Sequence, residues 1–376
     1  MTRFAKTAAT VALLLIAGCA TKMAATDTTR APKYKVIGYI MGARVDISRI
    51  GAEKLTHINY AFGLVSTNGD AFIRTNAPSH LAQLHALKAK NPQLKIILSI
   101  GGWGADNFSD AALTDESRQK FARSCVNILK QNALDGIDLD WEYPGQPGPG
   151  IKFRAEDKEN FTFMLRDLRL QLDALSDQRK RVGADRYTLT IASAGGSYFK
   201  HTEMEKVHGY LDWINIMTYD MYGVGTPPGH HSGLRAPGDT NRFSKSTEGY
   251  VKEHLASGIP PEKLVVGAAF YAKSWTNVTS LPPKLEGGKF QRGFPYSALA
   301  RNYLNTNGFE RRWDEAAQAS YLWNAQSNTF VSFEDPEALK AKAKFVKANR
   351  LGGVMYWEYT EDLDETLLNA LAAELR

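Results

Sequence analysis

From Lys35 onward, short apolar runs alternate with longer stretches in which apolar residues recur every three or four positions. The short runs read as strands at Lys35–Ile40, His57–Gly63, Lys95–Ile100, Gly136–Glu142, Tyr187–Ala192, Trp213–Tyr219, Lys263–Phe270 and Gly353–Trp357. The stretches between them read as amphipathic helices. Phe121, Cys125, Ile128 and Leu129 form one stripe behind a cap at Asp115, and Phe161, Leu165, Leu168 and Leu172 form another behind Asp157. Asp335-Pro336 supplies a cap and a first-turn proline for a helix burying Leu339, Phe345 and Val346, and a last helix opens near Asp364. Eight strands separated by helices predict an α/β fold with a parallel sheet, closed into a (β/α)8 barrel. The last strand interval breaks the rhythm: strands start at 213, 263 and 353, so 90 residues follow an interval of 50. The excess, residues 276–333, is rich in aromatics and polar turns and predicts a small α+β insertion after strand seven.

Within the fourth run, Asp135 to Pro144 reads D-G-I-D-L-D-W-E-Y-P. Alternate strand residues share a face, so Asp138, Asp140 and Glu142 point one way and Leu139 and Trp141 the other. An acidic solvated face would account for the carboxylates, but a parallel barrel strand is covered on both sides. Like charges this close resist joint ionisation, so the outermost, Glu142, is expected to keep its proton near neutral pH, as a general acid must. Other strand ends add to the same rim: Ser99-Ile100-Gly101-Gly102-Trp103, with glycines to admit a ligand and an indole for stacking; Met217-Thr218-Tyr219-Asp220; Tyr271-Ala272-Lys273-Ser274-Trp275; and Met355-Tyr356-Trp357-Glu358.

The amino-terminal segment changes the picture of where the chain acts. Arg3 and Lys6 precede an apolar run from Val11 to Ala17, too short to span a bilayer, and the run ends Leu15-Ile16-Ala17-Gly18-Cys19. This resembles the lipobox of bacterial lipoproteins, which implies cleavage after residue 18 and lipidation of Cys19. Residues 19–33 then read as a flexible tether to a domain spanning 34–376. The expected location is the cell envelope, anchored by lipid, with the outer membrane favoured. With Cys19 so used, Cys125 is left without a disulfide partner and reads as a buried small hydrophobe. Formal charge is +6, falling to +4 once Arg3 and Lys6 are removed, and it is not clustered, which argues against a nucleic-acid partner. No cysteine–histidine cluster has metal-ligand spacing, and adjacent His230 and His231 alone carry little weight, so neither metal nor cofactor is expected.

Taken together, these motifs resemble family 18 glycoside hydrolases, in particular chitinases with an insertion after strand seven. Asp135-x-x-Asp138-x-Asp140-x-Glu142, Ser99-x-Gly101-Gly102, Met217-x-Tyr219-Asp220, Gly229-His230-His231 and Trp357 fall in that family's order, from about Tyr34 to the carboxyl terminus. The resemblance implies substrate-assisted retaining hydrolysis of chitin or chitooligosaccharides, and a monomer is expected. Glu142 would be the acid and base, Asp140 would hold the acetamido group, Asp138 would share a proton behind it and Tyr219 would orient the acetamido carbonyl. Sugar contacts would come from Tyr39, Phe62, Gly102, Trp103, Tyr143, Met217, Asp220, Tyr271, Lys273 and Trp357. One departure stands out: such chitinases often carry Gly-Arg after the strand-seven tyrosine, where this chain has Ala272-Lys273, losing a planar two-pronged donor. Hexosaminidases acting on peptidoglycan or N-glycans, and a non-catalytic chitin lectin, are the alternative readings.

Overall fold

The structure, a computed structural model, describes residues 1–2, 33–42, 46–238, 244–282 and 284–376. Cys19, and all but the ends of the expected signal and tether, lie outside them.

Eight parallel strands close on themselves: β1 (Lys35–Met41), β2 (His57–Val65), β4 (Lys95–Gly101), β5 (Gly136–Asp140), β6 (Thr188–Ser193), β7 (Trp213–Ile216), β8 (Leu264–Ala269) and β14 (Gly353–Trp357). Neighbours pair in chain order and β1 pairs with both β2 and β14, which completes the predicted (β/α)8 barrel. A two-residue strand β3 (Ala71–Phe72), not foreseen from the pattern, folds back antiparallel on β2.

The alternation of each barrel strand sorts side chains into two layers. Leu139 and Trp141 face outward, where Trp141 stacks on Phe108 at 5.4 Å and meets Phe161 edge-on at 5.6 Å beneath the helix Asp157–Gln178. The inward positions hold a small apolar cluster with Ile37, Tyr39, Ile97, Trp213, Val265 and Met355. They also hold Asn59, Ser99, Asp138, Thr190 and Asn215, all with no exposed surface. The barrel interior is therefore polar around β5, which is why that strand carries acids while fully buried. One helix start differs from the expectation and another matches it. Thr114, not Asp115, caps Asp115–Gln131, because its hydroxyl reaches Ser117 N–H in a capping box. Asp335 caps Pro336–Ala348 as expected, accepting from Glu337 and Ala338 N–H.

Between β8 and β14 the chain builds a second sheet, β9 (Tyr271–Ser280), β10 (Glu286–Pro295), β11 (Phe309–Asp314), β12 (Ala319–Asn324) and β13 (Thr329–Phe333), all antiparallel, in the order β10-β9-β13-β12-β11. Its core is Trp275, Val278, Tyr321 and Phe330. The sheet opens at Tyr271, two residues past the end of the barrel strand, so Tyr271 and Lys273 belong to it rather than to a strand-seven tail.

Candidate active site

The strand ends open into a cleft of about 1330 Å³. It is lined by every candidate named above except Asp138, which lies deeper, and Cys19, which lies outside the described residues. Asp138 sits at the centre of a ring of neutral donors. Tyr39 OH (2.9 Å) and Ser99 Oγ (2.8 Å) donate to its Oδ2, and Thr190 Oγ1 (2.5 Å) and Asn215 Nδ2 (3.2 Å) to its Oδ1. Burial pushes its pKa up while the four bonds pull it down, and burial wins. The four donors to Asp138 come from four other barrel strands, β1, β4, β6 and β7. Tyr39, expected to touch sugar, is 2% exposed and spends its hydroxyl on Asp138.

Two residues on, the treatment reverses. Asp140 is 4% exposed, and its Oδ1 is buried with no hydrogen-bond partner. Burial, then the charges of Glu142 and Asp138, raise its pKa well above the carboxylate range. Glu142 lies just past the end of β5. Burial pushes it up to about 7; Tyr143 opposes this through a hydrogen bond and the charge of Asp220 adds to it. The expected direction holds, but the main cause is burial rather than repulsion along the row.

Gly101 and Gly102 have φ of +124° and +92°. A Cβ on Gly101 would meet the Asp140 carbonyl at 2.0 Å, and one on Gly102 the Phe62 ring at 2.6 Å. Their close approach is to the protein itself: Gly102 N–H donates to Asp140 O at 2.8 Å and anchors the acid's backbone. Phe62 stacks on Trp357 at 5.5 Å, with Tyr39 at 5.8 Å from the same indole. Trp103 is 67% exposed at the mouth, edge-on to Tyr143 at 6.2 Å.

Tyr219 reaches only a weak acceptor, Met355 Sδ at 3.9 Å, so a sugar oxygen would be a better partner for its hydroxyl. Its ring meets Tyr271 edge-on. Asp220 holds φ +57°, a left-handed conformation aspartate tolerates. Its Oδ1 accepts from Tyr271 OH at 2.6 Å and pairs with Lys273 Nζ at 2.5 Å. Lys273, expected from the resemblance to touch sugar, lines the cleft and spends one of its three N–H donors on Asp220. Ser99, Thr190 and Asn215 were not foreseen as a ring around Asp138, although each shares strand parity with a rim residue. Tyr198 and Phe72 also line the cleft unforeseen. Among the described residues no cluster of histidine, cysteine or carboxylates could hold a metal ion.

The profile of the glycosyl hydrolases family 18 matches residues 35–362 of this barrel, and the chain belongs to that family. Among its relatives, chitinase A1 of Niallia circulans is 34% identical over 92% of this chain, which spans 59% of that protein's length. Chitinase B of Serratia marcescens is 31% identical, covering 84% of this chain and 75% of the relative. A solved family 18 N-acetylglucosaminidase from Paenibacillus barengoltzii superposes with a TM-score of 0.83 at 40% identity, over 91% of this chain and 100% of the other.

Proposed function

We propose that the protein is a chitinase, hydrolysing β-1,4 linkages between N-acetylglucosamine units with the substrate's own acetamido oxygen as nucleophile. The observation that carries this reading is the pairing of Glu142, protonated to about pH 7, with a buried Asp140 oxygen that nothing in the protein bonds. A conventional retaining glycosidase places a free carboxylate across the bond to attack the sugar. Here the rim acid Asp220 is tied to Lys273 and Tyr271, and Asp140 is set to accept a hydrogen bond. An acetamido N–H on Asp140 Oδ1 leaves the acetamido oxygen to attack the anomeric carbon.

In this scheme Glu142 gives its proton to the glycosidic oxygen as that bond breaks, and an oxazolinium ring forms on the substrate. Asp140 Oδ1, unpaired until then, accepts a hydrogen bond from the acetamido N–H, and the bond strengthens as the ring gains positive charge, so the gain is concentrated in the transition state. Tyr219 turns its hydroxyl from Met355 to the acetamido oxygen, and Trp357, braced by Phe62, forms the floor under the sugar. Glu142, now ionised, takes a proton from water as the water opens the ring, and the anomeric configuration is retained. The names of the relatives, chitinases and an N-acetylglucosaminidase, support this substrate class.

Side-by-side assays on chitooligosaccharides, peptidoglycan and a high-mannose glycan test the reading. Cleavage of the first alone is the expected result, cleavage only of either other glycan favours the hexosaminidase alternative, and binding without cleavage favours a lectin. A reducing-end-labelled chitooligosaccharide followed in time shows whether single sugars or longer units leave. We further propose that the second sheet is the chitinase insertion domain and that lipid on Cys19 anchors a monomer to the outer membrane. Cys19→Ser should move the protein from the detergent to the aqueous phase without changing turnover, and equal partitioning of both forms would contradict the anchor.

A further inference from the structure

The turn after β6 carries a phenol that the scheme above leaves unused. Tyr198 lies in the 3-10 turn Gly196–Lys200, is 1% exposed and lines the cleft. Its carbonyl makes the local bonds, accepting from Thr202 Oγ1 at 2.8 Å and from His201 N–H at 3.1 Å. Its hydroxyl is buried and has no hydrogen-bond partner, the same condition as Asp140 Oδ1. A buried hydroxyl left unmade is costly, so a guest in the cleft is expected to satisfy it.

The turn itself is fixed. Gly196 N–H donates to Glu253 Oε2 at 2.7 Å and Ser197 Oγ to Gln146 Oε1 at 3.0 Å. Gly195 lies so near the Tyr250 ring that a Cβ would meet it at 2.3 Å. The Tyr198 ring meets Tyr143 edge-on at 6.0 Å, and Tyr143 meets Trp103 edge-on at 6.2 Å. Tyr198 therefore belongs to the group of rings that runs from Glu142's neighbour to the exposed indole. Trp357 belongs to a different group, with Phe62 and Tyr39.

We infer that Tyr198 is a further catalytic residue, whose hydroxyl donates to the water that Glu142 activates in the second half of the reaction. This rests on the retaining mechanism proposed above. The water gives one proton to the Glu142 carboxylate while its oxygen bonds to the anomeric carbon and the bond from that carbon to the acetamido oxygen breaks. A second lone pair on the water accepts from Tyr198, which fixes the direction of attack. The phenol keeps its own proton throughout, since burial and the charges of Asp140 and Glu142 push its pKa up. A second sugar can compete with water for the same intermediate. That sugar is also held by stacking on Trp103, so it depends less on the phenol than water does.

Tyr198→Phe removes one oxygen and keeps the ring that packs on Tyr143. With an N-acetylated chitooligosaccharide, kcat should fall about 5–10-fold, the worth of one neutral hydrogen bond, with KM nearly unchanged. The share of products longer than the substrate should rise several-fold at high substrate. Tyr198→Leu, which also removes the ring, separates the two possible roles. If only the Leu variant is impaired and the Phe variant hydrolyses and partitions like wild type, the ring packs, the hydroxyl does nothing and the inference is overturned. A wild-type protein that cleaves no N-acetylated sugar would overturn the proposed function itself, and this inference with it.

Discussion

Glu334 and Asp140 are both carboxylates with almost no exposed surface, 2% and 4%. Glu334, at the end of the second sheet, lies 2.6 Å from Lys342 Nζ, and its other oxygen accepts from Ala269 N–H at 2.6 Å. Lys342, itself 1% exposed, also donates to Gly267 O at 2.7 Å, which ties the helix Pro336–Ala348 to β8. Glu334 Oε1 makes no well-formed hydrogen bond, but the Lys342 ammonium lies against it, so every charge there faces an opposite charge or a dipole. At Asp140 the same chain leaves an oxygen bare and sets Glu142 beside it. Asp138, two residues away with four donors, shows that the barrel could have satisfied a buried acid at this depth. The paired carboxylate fixes the scaffold, and the unpaired one, facing the cleft, holds a place for a substrate group.

The comparison is broken most severely at Glu142. Glu142→Gln keeps the shape and removes the proton, and hydrolysis should fall by about 10²–10⁴-fold with oligosaccharide binding retained. The fold should gain from the same change. Between its unfolded value near 4.5 and its folded value of about 7, Glu142 binds more protons folded than unfolded. It therefore lowers stability as pH rises through that window. The Tm of the variant relative to wild type should be higher at pH 8 than at pH 5, and wild-type-like turnover would remove Glu142 from the mechanism.

At the satisfied site the sign reverses. Lys342→Met leaves Glu334 buried without its cation and should cost about 3–5 kcal/mol in urea denaturation. Glu334→Leu/Lys342→Met should recover most of that loss, since removing both charges removes the penalty. A double variant as unstable as the single one would mean that the bonds to Gly267 and Ala269, not the charge pairing, hold this joint.

A smaller effect sharpens the origin of the acid's pKa. After burial, the charge of Asp220 raises Glu142. Asp220→Asn removes that charge, so Glu142 ionises more easily and loses its proton at lower pH. The alkaline limb of kcat/KM, near 7 in wild type, should move to lower pH. An unmoved limb would assign the shift to burial alone.

Strand parity made the carboxylate row, the rim aromatics and the closed barrel legible, because period two along each run is a local property. The ring around Asp138 was not, since it depends on the register of β1, β4, β6 and β7 against β5, which one strand's pattern does not contain. Parity did hold a partial signal: Asn215 shares a face with Met217 and Tyr219. Lys342 shows a different kind of loss. It stands three residues after Leu339 and four before Val346, on the apolar stripe, but a lysine there reads as solvated until its partner Glu334 is seen. The ion pair of Lys273 was hidden in the same way, its partner Asp220 lying 53 residues earlier.

The central claim is that Asp140's bare oxygen waits for an acetamido group, and it is tested most directly by taking that group away. Fully deacetylated chitosan oligomers and their N-acetylated counterparts should be compared at equal length, with a thiazoline analogue of the cyclic intermediate added to the second. The account predicts no cleavage of the deacetylated chains, a β-configured first product from the acetylated ones and competitive inhibition by the thiazoline. Efficient cleavage of deacetylated chains, or inversion at the anomeric carbon, would contradict it.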